Sequence, residues 1–119
     1  MPGDPLSRPL IEVARELRDR RATARELVDE AIARHESVGE RLHAYSFWAP
    51  EQARAVADVA DAAFAAGVST GPLQGLPVSI KDLFAAAGHP CLRGRAGACR
   101  RIPGSRTGRW WRRCGASSV

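Results

Sequence analysis

The sequence predicts an α/β fragment: helices first, then the first strands of a sheet, then a basic tail. Three observations predict it. Apolar residues recur at helical spacing in three stretches before Gly67. A β-branched run, Val78-Ser79-Ile80, follows dense turn punctuation at Gly71-Pro72, Gly75 and Pro77. The composition then changes abruptly after Asp82.

The first helix is expected from an N-cap at Ser7 to about Arg20, with Leu10, Val13, Ala14 and Leu17 as one apolar stripe. Arg15, Arg18 and Asp19 would face away. Thr23 opens the second helix as part of a capping box with Glu26. Leu27, Val28, Ala31 and Ile32 form its buried face, and Glu30 with Arg34 an outer i,i+4 pair. Leu42 to Phe47 alternates weakly and predicts a short strand. Pro50 and Glu51 suit the first turn of a third helix. Its apolar side carries Ala53, Val56, Ala57, Ala60 and Phe64, and it stops at Gly67. His35 and His43 lack partners at metal-ligand spacing and are expected at the surface, not as ligands.

Strand alternation puts Val78 and Ile80 on one face and Ser79 and Lys81 on the other. Lys81 is the only lysine; the 17 other cationic side chains are arginines. A desolvated amine can lose its proton near neutral pH and act as a base, which a guanidinium does not do. A strand-end lysine beside an acid, Asp82, can also be simply a solvated charge with a buried stem.

Gly71-Pro72-Leu73-Gln74-Gly75-Leu76-Pro77-Val78-Ser79-Ile80-Lys81-Asp82 resembles the lysine motif of the amidase signature family. Leu42-His43-Ala44-Tyr45 resembles the family's Leu/Ile-Asn-Ala-Phe/Tyr element, and the likeness covers about Leu6 to Pro90. The resemblance implies N-terminal helices packed on a large mixed sheet, and a catalytic domain several times longer than this chain. It implies amide C–N hydrolysis by a Ser, cis-Ser, Lys arrangement, with Lys81 as the base acting through the bridging serine. Both serines lie downstream of the lysine in a Gly-Ser-rich region that this sequence does not show. Ser79, Ser105, Ser117 and Ser118 do not match them. The implied substrate is a small-molecule amide.

The charge is divided. Residues 1–82 hold nine arginines, Lys81 and all 13 acids, a net −3; residues 83–119 hold eight arginines and no acid, a net +8. Residues 1–90 read as the N-terminal part of an amidase signature domain, and 91–119 as an Arg-rich tail expected to be disordered. The tail has three readings: a nucleic-acid-binding arm in which Trp110 and Trp111 stack on bases, a membrane-surface segment, or text translated out of frame. The third is preferred. An alternative frame that restores Gly-Ser-rich amidase text after codon 85 would establish it, and coding DNA without such a frame would rule it out.

Cys91, Cys99 and Cys114 show neither zinc spacing nor a disulfide framework. No cofactor, metal or membrane partner is expected, and nucleic acid is not the preferred partner. With no basic, apolar leader at Met1-Pro2-Gly3, a cytoplasmic location is expected. A separately encoded C-terminal remainder is the candidate protein partner.

Overall fold

Thr23 fixes the start of the central helix as the capping box requires. Its hydroxyl accepts from Glu26 N at 3.1 Å, and Glu26 Oε2 accepts from Thr23 N at 2.9 Å. The structure, a computed structural model, describes residues 4–82 and 117–118. Within them lie α1 (Leu10–Arg18), α2 (Ala24–Arg34) and α3 (Pro50–Ala65), then the two-residue strands β1 (Pro77–Val78) and β2 (Ser117–Ser118). Leu83, Phe84, the connection after them, the three cysteines and the rest of the basic tail lie outside the described residues.

The first helix differs from its sequence expectation at both ends. Residues preceding proline are driven out of the helical region, and Arg8, before Pro9, is extended at ψ 158°. The helix therefore begins at Leu10. Asp4 and Ser7 close a separate 3-10 turn at Pro5–Ser7, with Asp4 Oδ1 accepting from Leu6 N at 2.9 Å. Val13, Ala14 and Leu17 are buried, but Leu10, at the helix mouth, is 58% exposed. At the other end Arg20 turns left-handed at φ 58°, two residues past the last helical one.

Helix α2 packs on α3 through small residues. Ala24, Leu27, Val28 and Ile32 face Ala53, Ala57 and Ala60, all buried. The absence of large side chains along that side of α3 lets the backbones approach closely. The α3 seam is therefore i, i+4, i+7, and Val56, expected inside, is exposed. Phe64 packs partly buried against the core. Gly67 at φ 72° follows the last turn, where its left-handed geometry ends the helix.

Charged groups stitch the same pair. Asp61, on α3, accepts from Ala24 N at 2.7 Å and Arg25 N at 3.0 Å, so a side chain of one helix caps the other. Asp29 accepts from Arg25 Nε at 3.0 Å and from Arg54 Nε at 2.8 Å. Arg34, expected to pair with Glu30, reaches Asp4 instead. The Arg54 bond, aided by Arg25, holds the Asp29 carboxyl below its ordinary range. Arg8 does the same to Glu16, and the Ser7 hydroxyl, with Leu6 N and Arg34, to Asp4.

Leu42 to Phe47 is not a strand. The chain leaves α2 through a π turn at His35–Gly39, and its amides are spent locally. Leu42 N donates to Val38 O at 3.2 Å, His43 N to Glu40 O at 3.1 Å and Ala44 N to Gly39 O at 3.0 Å. His43 is left-handed at φ 48°, which breaks any extended run. His43 is exposed as expected, but His35 is half-buried between aromatic rings. The described residues are thus helix-rich; the strand content is one parallel pair, Pro77 with Ser117 and Val78 with Ser118. No helix among them is long and apolar enough to cross a membrane.

Asp61→Ala and Thr23→Ala should each lower stability by about 1 kcal/mol, the usual cost of an N-terminal cap, read as a urea-midpoint shift. The depressed carboxyls of Asp4, Glu16 and Asp29 contribute stability above the ordinary carboxylate range. That contribution should fall away as pH drops below about 4, and the share from the ion pairs of Glu16 and Asp29 should shrink in salt, because those pairs are at most part-buried.

Candidate functional site

The segment carrying the lysine motif is anchored on the helices before it reaches the lysine. Gly75 is left-handed at φ 78°, a region that side chains disfavour. It is also crowded. A Cβ there would meet Phe64 Cε2 at 3.0 Å, Ala24 Cβ at 3.2 Å and Leu17 Cδ1 at 3.4 Å. Those three contacts come from α3, α2 and α1, so all three helices converge on this glycine. Leu76 beside it is buried at 2% exposure, as a core residue.

Gln74 is the buried polar residue of the described core, at 5% exposure. Its Oε1 accepts from Thr70 N at 2.6 Å and Thr70 Oγ1 at 3.2 Å, and its Nε2 donates to Val68 O at 3.2 Å. It ties the exit of α3 to the motif turn. Gln74 N bonds Gly71 O at 3.3 Å and Leu76 N bonds Leu73 O at 3.2 Å, closing two successive turns. Arg18 of α1 donates to Pro72 O at 3.2 Å from outside.

Beyond this anchor the chain runs out as a strand. Val78 and Ile80 are half-buried, and Ser79 and Lys81 exposed, the alternation expected from the sequence. The ladder itself spans only Pro77 and Val78, shorter than the expected run to Ile80. The Ser79 and Tyr45 hydroxyls hydrogen-bond at 2.8 Å. Tyr45 sits in an aromatic cluster, 5.0 Å from the Trp48 ring and 5.1 Å from His35. A groove of about 370 Å³ lies between this cluster and the strand, lined by Leu6, Val38, Leu42, Trp48, Val78 and Ser79 among others.

Lys81 is therefore placed at the end of an apolar strand, on its outward face. The described residues do not bury its amine. They also hold no cluster of three or more His, Cys, Asp or Glu side chains able to hold a metal ion. The glycine turns and the outward-facing strand end at Lys81 stand where the sequence expects them, whereas the contacts of Gln74 and Tyr45 were not foreseen. Gln74 falls at a variable position of the motif, and Tyr45 lies within a stretch that alternates like a strand.

The family model for Amidase matches residues 26–103, which takes in α2 from Glu26 onward, α3, the motif turn and Lys81. The chain belongs to the amidase family. It is 41% identical over 85 residues to a 2-amino-5-chloromuconic acid deaminase of Comamonas testosteroni, covering 71% of this chain and 18% of that protein. It is 47% identical over 77 residues to a glutamyl-tRNA(Gln) amidotransferase subunit of Synechococcus sp. (strain CC9902), covering 65% of this chain and 14% of that one. The corresponding amidotransferase subunit of Rhodopseudomonas palustris (strain TIE-1) is 43% identical over 101 residues, or 85% of this chain and 19% of its own length. The chain thus spans under a fifth of the length of these curated relatives. No solved structure matches it.

Gly75→Ala should destabilise the chain by roughly 1–2 kcal/mol from backbone handedness alone, with crowding adding to it. Gln74→Ala should cost about 1–3 kcal/mol, because it leaves buried partners unpaired. Chemical denaturation of each variant checks both figures.

Proposed function

We propose that this chain is the N-terminal part of an amide hydrolase and supplies its proton-accepting lysine, Lys81. The observation that carries this reading is the family match over residues 26–103, with the motif turn and Lys81 inside it. The chemistry proposed is hydrolysis of a small-molecule amide. A serine hydroxyl attacks the carbonyl carbon, its proton passing through a bridging serine to the Lys81 amine. The C–N bond then breaks, the proton returns to the departing nitrogen, and water releases the acyl group from the serine.

Two physical points support reading the chain as inactive by itself. A lysine base works in a desolvated pocket, and the Lys81 side chain is exposed among the described residues. The two hydroxyls of the mechanism have no counterparts in the motif positions of this sequence. Residues 1–90 are read as the family part and 91–119 as the departing basic text, although the family match itself runs on to 103. We attribute that text to a change of reading frame. The partner proposed is a remainder of the amidase domain made as a separate chain, in the cytoplasm. The amidotransferase relatives are, by name, themselves subunits.

The test is to mix the 119-residue chain with the remainder of a curated relative, the residues that follow its own lysine strand. Turnover of a simple aryl amide should appear only in the mixture and vanish with Lys81→Ala. Turnover by the chain alone would contradict the inactivity. An active mixture indifferent to Lys81→Ala would contradict the role of the lysine.

A further inference from the structure

We infer that Tyr45 is a positioning residue: its hydroxyl, held by an aromatic cluster, clamps Ser79 and thereby orients the strand end that carries Lys81. The inference rests on the reading of Lys81 as the proton acceptor and adds a residue to it. Four observations carry it. The β1 ladder stops at Val78, three residues before Lys81. The next fixing contact along the strand is the 2.8 Å bond between the Ser79 and Tyr45 hydroxyls. Ser79 and Lys81 share the outward face, so a tether on one biases the direction of the other. Lastly, the clamp reaches back 34 residues in sequence to the turn that leaves α2, linking the strand to the helix pair.

The phenol is itself held. Trp48 lies 4.0 Å from the His35 ring and 5.0 Å from Tyr45, and His35 meets Tyr45 edge-on at 81°. Such tilted and edge-on pairs favour one ring orientation over free rotation. Gly39 lets the cluster close, since a Cβ there would collide with His35 Nδ1. That nitrogen is buried and makes no hydrogen bond, and the imidazole packs against the Tyr45 and Trp48 rings. The π turn and the left-handed His43 bring the backbone round so that Tyr45 faces the strand. The irregular path from His35 to Trp48 thus has a physical purpose: it delivers one hydroxyl to the lysine strand.

The single lysine makes the inference testable without any amide turnover. The 119-residue chain is treated with a limiting amine-acylating ester, and acylation of Lys81 is measured by mass against the N-terminal amine as internal reference. Tyr45→Phe keeps the ring and removes the hydroxyl. It should change the relative Lys81 rate by about threefold or more, the scale of one net hydrogen bond, with the melting curve unchanged. Ser79→Ala should produce the same change, and the double variant no further one, because all three remove a single contact. Amide hydrogen exchange at Ile80 and Lys81 should quicken in step while that of α2 stays constant. Unaltered acylation and exchange in both single variants would overturn the inference, as would fully additive effects. A change in Tyr45→Phe accompanied by loss of the helical melting transition would also overturn it, by showing a packing role instead. Because acylation is read without turnover, failure of the clamp and failure of the amidase reading give different results.

Discussion

Everything in the described fold depends on the close approach of α2 and α3. Alanines at 53, 57 and 60 remove the side-chain thickness that would hold the helices apart, and Leu27 and Val28 fill the seam. Close approach brings the carboxylate of Asp61 onto the amides of Ala24 and Arg25 at the start of α2. Capping and packing therefore reinforce each other. The cap needs the spacing that the alanines allow, and the carboxylate satisfies two of the amides that the start of a helix leaves unpaired.

That seam also determines where the motif sits. Its upper end presents Ala24 and Phe64, and α1 adds Leu17, and these three side chains surround Gly75. A residue with no side chain and a left-handed backbone fits there. The chain then emerges as a strand from a point fixed by all three helices. Lys81 is six residues further on, so its location follows from helix packing more than from any sheet. Val78 and Ile80 are half-buried along the emerging strand. Lys81 is exposed at the end of that segment.

Much of this was legible in the sequence because it is local. The capping box at Thr23, the stop at Gly67, the strand alternation and the one lysine each depend on a few neighbouring residues. What was not legible depends on contacts distant in sequence or on competing local bonds. Pro9 overrode Ser7 as the helix start by forcing Arg8 into an extended conformation. Residues 42–47 alternate like a strand, but their first amides were already committed to the turns after α2. Val56 fell outside because a helix seam of small residues is narrower than the apolar stripe. Asp61 and Gln74 carry no local signal at all; one caps a helix 37 residues away and the other locks a loop that folds back on it. Tyr45 belongs with them, since its partner Ser79 lies 34 residues further along the sequence.

The motif turn belongs to the helical core and is not a loose appendage of it. Native-state hydrogen exchange on the 119-residue chain tests this most directly, at the hydrogen-bonded amides of Gln74 and Leu76. They should exchange with the same opening free energy as Leu27 and Val28 in α2, as one cooperative unit. Rapid exchange at Gln74 and Leu76 with α2 still protected would contradict it.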